Sequence, residues 1–334
     1  MKAPYRRDGL YDKHQFHNLL AHFLKSVIIR KTKKGGGTVV LRHIACRDGR
    51  LSDLLREEMA FSTGLMNRLK WDEKLLVNGV PQRTNYPVHM GDEISAILDE
   101  PEPDYPAQDL PLTVLYEDEH ILAVDKPAGM LIHPSRSRNT GTLANAVAGY
   151  YQRTGQSSAF HPVTRLDRDT FGVVLLGKHS HAHALLSGGE LTKVYEAAVL
   201  HAPGEDQGII DAPIARRPLP SLLRYVNQDG KPSQTRYQVI CKEKGFSILR
   251  LWPLTGRTHQ LRLHCAHIGC PILGDPQYGS PESQAFSREM GLGHQLLCAR
   301  QVEFVHPITK EAITITSQMD AMHPVRYEED TPWA

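Results

Sequence analysis

Residues 165–172 read Arg165-Leu166-Asp167-Arg168-Asp169-Thr170-Phe171-Gly172, a short polar turn that opens directly onto the apolar run Val173–Leu176. The run has the makings of a strand, so the turn sits at the edge of a sheet. Two arginines and two aspartates are packed into it. A carboxylate held there between cations can be a reactive group rather than a solubilising one. The competing reading is a charged turn whose members pair with each other in solvent, because structural ion-pair networks perturb carboxylates as well. On this segment alone Asp167 and Asp169 are both candidates.

Three other segments bear on the choice. Upstream, the apolar strand Ile121–Val124 runs into Asp125-Lys126-Pro127-Ala128-Gly129, a rigid turn at a strand end and a common place for function on a stable scaffold. Downstream, Lys193-Val194-Tyr195-Glu196-Ala197 places Lys193 and Tyr195 on one face of a strand. A tyrosine beside a cation can stack on a base and exchange a proton through its hydroxyl; the alternative is a half-buried core tyrosine. The last segment runs from Leu254 to Gly279, LTGRTHQLRLHCAHIGCPILGDPQYG. Gly256 ends a strand and Thr258 is placed to start a helix, whose first amides suit anionic groups. Arg257, His259, Gln260 and Arg262 fall in its opening turns. Two histidine groupings invite a metal reading. His179 and His183 stand four apart, but no Glu lies between them in the zinc-binding manner, and a solvated helix face accounts for them. The group His259, His264, Cys265, His267 and Cys270 has the wrong spacing for paired zinc ligands. No metal is expected.

The chain has 334 residues, 40% of them hydrophobic, enough for a large core and roughly two domains. No apolar run reaches the roughly 20 residues of a membrane span, and the charged N-terminus lacks a signal-peptide pattern. Five scattered cysteines without a C-x-x-C pair suit a reducing, cytoplasmic setting. The net charge of +2 hides an uneven distribution. Basic residues dominate up to about residue 45, with a cluster at Lys25, Arg30, Lys31, Lys33 and Lys34, and acids gather at Asp99, Glu100, Glu102, Asp104 and Asp109. A positive end and a negative joint cancel in the total while leaving a face that attracts phosphate.

The pattern divides the chain into a basic extension (residues 1–38), with one helix over Gln15–Ile29, and a compact module (39–98). An acidic, proline-rich linker (99–111), a large domain (112–320) and a tail (321–334) follow. In the module, Leu51, Leu54, Leu55 and Met59 recur at helical spacing, Ser62 is placed to cap a second helix, and Asn78-Gly79 marks a hairpin. In the large domain strands outnumber helices without regular alternation. The expected class is therefore α+β, a mixed and mostly antiparallel sheet flanked by helices, beside a small N-terminal α/β domain.

Taken in order, these segments resemble the RluA-type pseudouridine synthases over about residues 112–318. R-L-D-R-D-T-F-G looks like the family's R-L-D-x-x-T-S-G motif, with Phe171 where serine is usual. K-P-A-G, K-V-Y-E-A, T-G-R-T-H-Q-L-R-L-H, G-D-P-Q-Y-G and L-C-A-R-Q-V-E-F-V-H-P resemble its companions. Residues 42–98 resemble, more loosely, the small RNA-binding module first named for a protein of the small ribosomal subunit; Arg50, Arg68, Lys70 and Arg83 are its candidate phosphate contacts. The resemblance implies isomerisation of uridine in RNA after the base is flipped from its stack. It gives Asp167 the part of nucleophile or ribose-activating carboxylate, Tyr195 a stacking and proton-transfer part, and Arg262 the cation that orients Asp167 through a bidentate pair. Arg257 is the second choice for that cation. Arg165, Lys193, Arg257, Thr258 and His259 are expected to bind substrate. No cofactor is needed, since nothing is oxidised and no group is imported. The partner is RNA, ribosomal before transfer RNA, and the family tendency is monomeric. A non-catalytic RNA-binding protein and a zinc hydrolase are the competing classes.

Overall fold

A computed structural model describes residues 28–31 and 37–322, apart from residues 136, 157, 219, 220 and 222. The fold comprises two compact units, the first made of residues up to Glu102 together with His306–Glu311 and the second of Pro103–Val305 and the residues from Ala312.

The first unit is a five-stranded sheet in the order Ile28–Lys31, Gly37–Ile44, Glu93–Glu100, Leu75–Val77, Val80–Pro81. The helices Leu51–Glu57 and Thr63–Trp71 accompany it. Val39, Leu41 and His43 are buried and their neighbours partly exposed, the two-residue period of a half-buried strand. Leu51, Leu54 and Leu55 join Leu75 and Ile94 in the core. Ser62 Oγ accepts the Leu65 amide and caps the second helix. Asn78 and Gly79 both have positive φ (51° and 79°), as the tight hairpin requires.

Two expectations are corrected here. The helix expected over Gln15–Ile29 lies outside the described residues as far as residue 27, and Ile28 and Ile29 belong to a strand paired with Val40 and Val39. Asp99 and Glu100, expected in the linker, continue the last strand opposite Thr38 and Gly37. The ladder supplied by the longer neighbour outweighs the poor strand propensity of acids.

The second unit is built on a ten-stranded sheet. Its main path runs Gln207–Asp211, Gln234–Lys242, Phe246–Pro253, Leu191–Leu200, Leu297–Val305, Phe171–Gly177, Ile121–Lys126, Thr113–Glu117. Every named pair is antiparallel except Phe171–Gly177 with Leu297–Val305. Helices Leu143–Arg153, Ser180–Gly188, Gln260–His267 and Pro281–Glu289 complete the unit. The class is the mixed, mostly antiparallel α+β arrangement expected. No helix among the described residues is long and apolar enough to cross a membrane.

Ile121–Lys126 and Phe171–Gly177 are buried along their whole lengths, which is why the first reads as apolar as far as Val124 and the second reads as apolar throughout. Each such Leu or Val contributes roughly 1.5–3 kcal/mol by leaving water. Gly172 lies at the start of the second run with φ +105°, and a Cβ placed there would meet the Ala299 carbonyl oxygen at 2.4 Å. Only glycine allows the parallel neighbour this close. Gly172→Ala therefore combines backbone strain of about 1–3 kcal/mol with a backbone clash. The expected result is a thermal midpoint lowered by several degrees or more; an unchanged midpoint would contradict this packing.

Candidate active site

Asp167 opens a β-turn closed by the Thr170 amide on the Asp167 carbonyl, 3.2 Å. Thr170 is buried, and its Oγ1 accepts from Gln295 Nε2 at 2.7 Å, which pins the end of the turn. Beneath it Lys126 is fully buried and donates to three carbonyls: Pro127 at 2.8 Å, Met130 at 2.9 Å and Arg168 at 2.8 Å. Burial pulls its pKa down to about 7, against the upward pull of Asp169 and Asp167. Three carbonyls accepting at once match the three protons of an ammonium. The Lys126-Pro127-Ala128-Gly129 turn is thereby tied to the backbone of the aspartate turn. Phe171 packs into the core with Ala128, Cys298 and Met319, so the residue that departs from the motif points away from solvent.

The structure separates the two aspartates. Arg168 closes both its Nε and Nη2 on Asp169, at 2.8 and 2.9 Å. Asp167 instead accepts from Arg262 Nη1 at 3.2 Å and keeps 32% of its side-chain surface exposed. Arg262 does not make the bidentate pair expected with Asp167. Its fork is closed on Asp275 (Nε to Oδ2 2.8 Å, Nη2 to Oδ1 2.7 Å), and Nη2 also reaches Gln277 Oε1 at 2.8 Å. Asp275 is buried, so the planar guanidinium is fixed by a dry carboxylate and only its Nη1 amino group is left to hold Asp167. Arg257 donates to the Pro232 carbonyl at 3.3 Å rather than to Asp167.

The helix begins at Gln260, not at Thr258, with His259 at its N-cap in the left-handed region and no capping bond from its side chain. The expected array of free helix amides facing a ligand is therefore not formed at Thr258. Buried Gln260 holds the preceding turn, accepting from Thr255 Oγ1 and the Arg257 amide and donating to the Gln234 carbonyl and Thr235 Oγ1.

Asp167, Tyr195 and Arg262 open onto one cleft of about 870 Å³, as do Arg165, Lys193, Arg257, Thr258 and His259. That volume is in the range of sites that enclose a small organic group. Lys193 and Tyr195 are brought to the cleft by the Leu191–Leu200 strand, whose pairing with Leu297–Val305 slips by one residue between Val194 and Tyr195. Such a bulge re-aims side chains beside a site. Burial lifts the Tyr195 phenol well above its ordinary pKa, with the Asp167 charge adding to it. Burial lowers the Lys193 ammonium. Arg50, Arg68 and Arg83 are exposed on the first unit, and the Lys70 ammonium lies 4.8 Å from the Trp71 ring centre.

Of the two histidines expected on a solvated helix face, His183 is partly exposed and its Nε2 lies 3.3 Å from Ser187 Oγ, whereas His179 is not on that face. His179 is fully buried, caps its helix by accepting the Ala182 amide at 3.1 Å, and pairs with His120 at 3.0 Å. His264 has both ring nitrogens engaged, by Thr235 Oγ1 at 2.9 Å and the Ala212 carbonyl at 3.0 Å. Sequence reasoning gave no part to Asp275, Gln277 or Tyr278. Their signal was present in G-D-P-Q-Y-G, a polar triplet behind a glycine, but nothing local ties it to Arg262.

Residues 120–267 match the family described as RNA pseudouridylate synthase. The Bacillus subtilis protein named "Uncharacterized RNA pseudouridine synthase YjbO" is 36% identical over 266 residues, covering 76% of this chain and 92% of that one. "Ribosomal large subunit pseudouridine synthase D" of Pseudomonas aeruginosa is 35% identical over 250 residues, 71% of this chain and 78% of its own. Among solved structures, "Human RNA Pseudouridylate Synthase Domain Containing 1" shares the fold at TM-score 0.54 and 23% identity, over 67% of this chain and 89% of that one. An aspartate turn clamped to a buried Arg–Asp pair, carried on a fold and sequence shared with these proteins, places the chain in the RNA pseudouridylate synthase family, among its RluA-type members.

Proposed function

We propose that this enzyme converts uridine to pseudouridine in large-subunit ribosomal RNA, with Asp167 as the reacting carboxylate. The observation that carries the reading is Asp167 held by Arg262 at 3.2 Å in a cleft shared with Tyr195. The choice of ribosomal RNA rests on relatives named for the large subunit at 35–37% identity, and on the basic residues of the first unit.

In this reading a uridine is flipped from the RNA into the cleft, with Arg165 holding the strand or the vacated space. Asp167, aimed by Arg262, attacks the sugar or the base. The bond from ribose to nitrogen 1 breaks, the uracil turns, carbon 5 bonds to the ribose in its place, and the bond to Asp167 is released. The proton on carbon 5 must then leave. Tyr195 stacks on the ring and supports that transfer through its hydroxyl. Arg257, Thr258 and Lys193 line the route of the substrate backbone.

Tyr195→Phe keeps the ring and removes the hydroxyl. Turnover is expected to fall by about 10²–10⁴-fold, the usual range for a positioned acid or base. Wild-type turnover would move the proton-transfer role elsewhere. The RNA target is tested by mapping pseudouridines in total RNA with and without the gene, then restoring the lost sites with purified enzyme. Sites lost only from transfer RNA would replace the ribosomal assignment, and no lost site would favour a non-catalytic RNA-binding protein.

A further inference from the structure

His259 carries a feature that substrate binding alone leaves unexplained. Its backbone sits at φ 56° and ψ 22°, left-handed for a residue with a Cβ, and it forgoes the capping bond that its position offers. The side chain turns instead to Tyr278, with His259 Nδ1 2.7 Å from the Tyr278 hydroxyl. That hydroxyl already accepts the Arg224 amide at 3.1 Å. Among the described residues the hydroxyl has no other acceptor for its own proton, which therefore takes the short contact, with Nδ1 as the acceptor. A neutral imidazole that accepts at Nδ1 carries its proton on Nε2. Nε2 lies 3.9 Å from Asp167 Oδ2, the oxygen that also accepts from Arg262. The Tyr278 ring in turn lies 4.9 Å from the Arg262 guanidinium carbon. One tyrosine thus backs both nitrogen donors that face the reacting carboxylate.

We propose that His259 is a positioning residue for Asp167: Tyr278 fixes its tautomer so that an Nε2–H, not a lone pair, faces the carboxylate and closes on it when RNA fills the cleft. This inference deepens the assignment of Asp167 made above and rests on it. A gap of 3.9 Å in the free enzyme suits such a role, because hydrogen bonds of this kind tighten in the substrate complex. It also removes His259 from the candidates for general base, since the nitrogen facing the site has no free pair. A neutral donor orients Asp167 without cancelling its charge, whereas an imidazolium would weaken a nucleophile. The charged groups acting on the ring are Asp167, Arg262, Asp275 and Arg224. Burial holds its pKa below the ordinary histidine value, with Asp167 opposing, so the neutral form prevails at neutral pH.

Two variants and one spectrum test this. Tyr278→Phe keeps the ring against Arg262 and frees the tautomer. His259→Asn keeps a side chain that tolerates left-handed backbone and removes the imidazole. With large-subunit ribosomal RNA transcribed in vitro and tritiated at carbon 5 of uracil, each variant is expected to lose about 10–100-fold in kcat with KM changed less than about threefold. The double variant should be no worse than the poorer single one. In Tyr278→Phe the acid limb of the kcat profile should move to higher pH, because Nδ1 is free to take a proton. In wild type, nitrogen NMR of labelled histidine should show His259 protonated at Nε2 and bare at Nδ1. A proton on Nδ1, full activity of His259→Asn, or strictly additive losses would each overturn the proposal, and the spectrum does so even where a variant fails to fold. A wild-type enzyme inactive on every RNA would instead overturn the assignment of Asp167.

Discussion

Asp167→Asn yields a protein that folds, binds RNA and forms no pseudouridine, with activity reduced at least about 10⁴-fold, as when other covalent enzymes lose their nucleophile. The amide keeps the shape of the carboxylate and can still accept from Arg262, so stability should change by no more than about 1 kcal/mol at this partly exposed pair. RNA affinity should hold or rise, because one negative charge leaves a cleft that phosphates approach. The sharper form of the test compares the two carboxylates on Arg262. Asp275→Asn removes the partner of a buried guanidinium and should destabilise the fold by about 3–5 kcal/mol. One substitution thus ends chemistry and spares the fold, while its neighbour strikes the fold first. Measuring tritium release, RNA binding and unfolding on both proteins separates these outcomes. Normal product from Asp167→Asn would remove the mechanism altogether.

The contrast also marks where the sequence could and could not be read. The segments that hold Asp167, Tyr195 and Arg262 were legible because each is a short polar stretch beside an apolar run, while the part given to each residue came from the resemblance to the family. The runs Ile121–Lys126 and Phe171–Gly177 are buried on both faces, which leaves a strong signal. The choice between Asp167 and Asp169 was not legible. It depends on Arg168 folding back on its neighbour while Arg262 arrives from 95 residues away. Asp275 stayed hidden for the same reason: its fork to Arg262 forms through a turn, and no periodicity encodes it. The left-handed backbone at His259 displaced the helix start expected at Thr258, since only the tertiary contact with Tyr278 rewards that conformation. His179 looked solvated because charged and polar neighbours surround it in sequence, yet its ring is spent on a cap and on His120.

Lys126→Met should be nearly as damaging as loss of Asp167, by a different route. Methionine matches the length of the side chain and donates nothing, so the carbonyls of Pro127, Met130 and Arg168 lose their common partner inside the fold. At about 1–3 kcal/mol for each buried acceptor left unpaired, the loss rivals the 5–15 kcal/mol that typically holds a domain together. The Arg168 carbonyl is one peptide from Asp167, so the surviving folded molecules should also show displaced chemistry. Lys178 provides the control. It is buried just past the opposite end of the Phe171–Gly177 strand, donating to Glu117 at 2.8 Å and to the Asp118 carbonyl at 2.7 Å. Lys178→Met should lower the unfolding midpoint as well, but leave the turnover of each folded molecule within about twofold, because seven strand residues at about 3.3 Å each separate it from the aspartate turn. Active-site titration with an RNA that traps the enzyme, combined with denaturant melts, gives turnover per folded molecule for both variants. Equal turnover in the two would mean that Lys126 braces the sheet and nothing more; a selective loss in Lys126→Met would show that the buried ammonium sets where Asp167 stands.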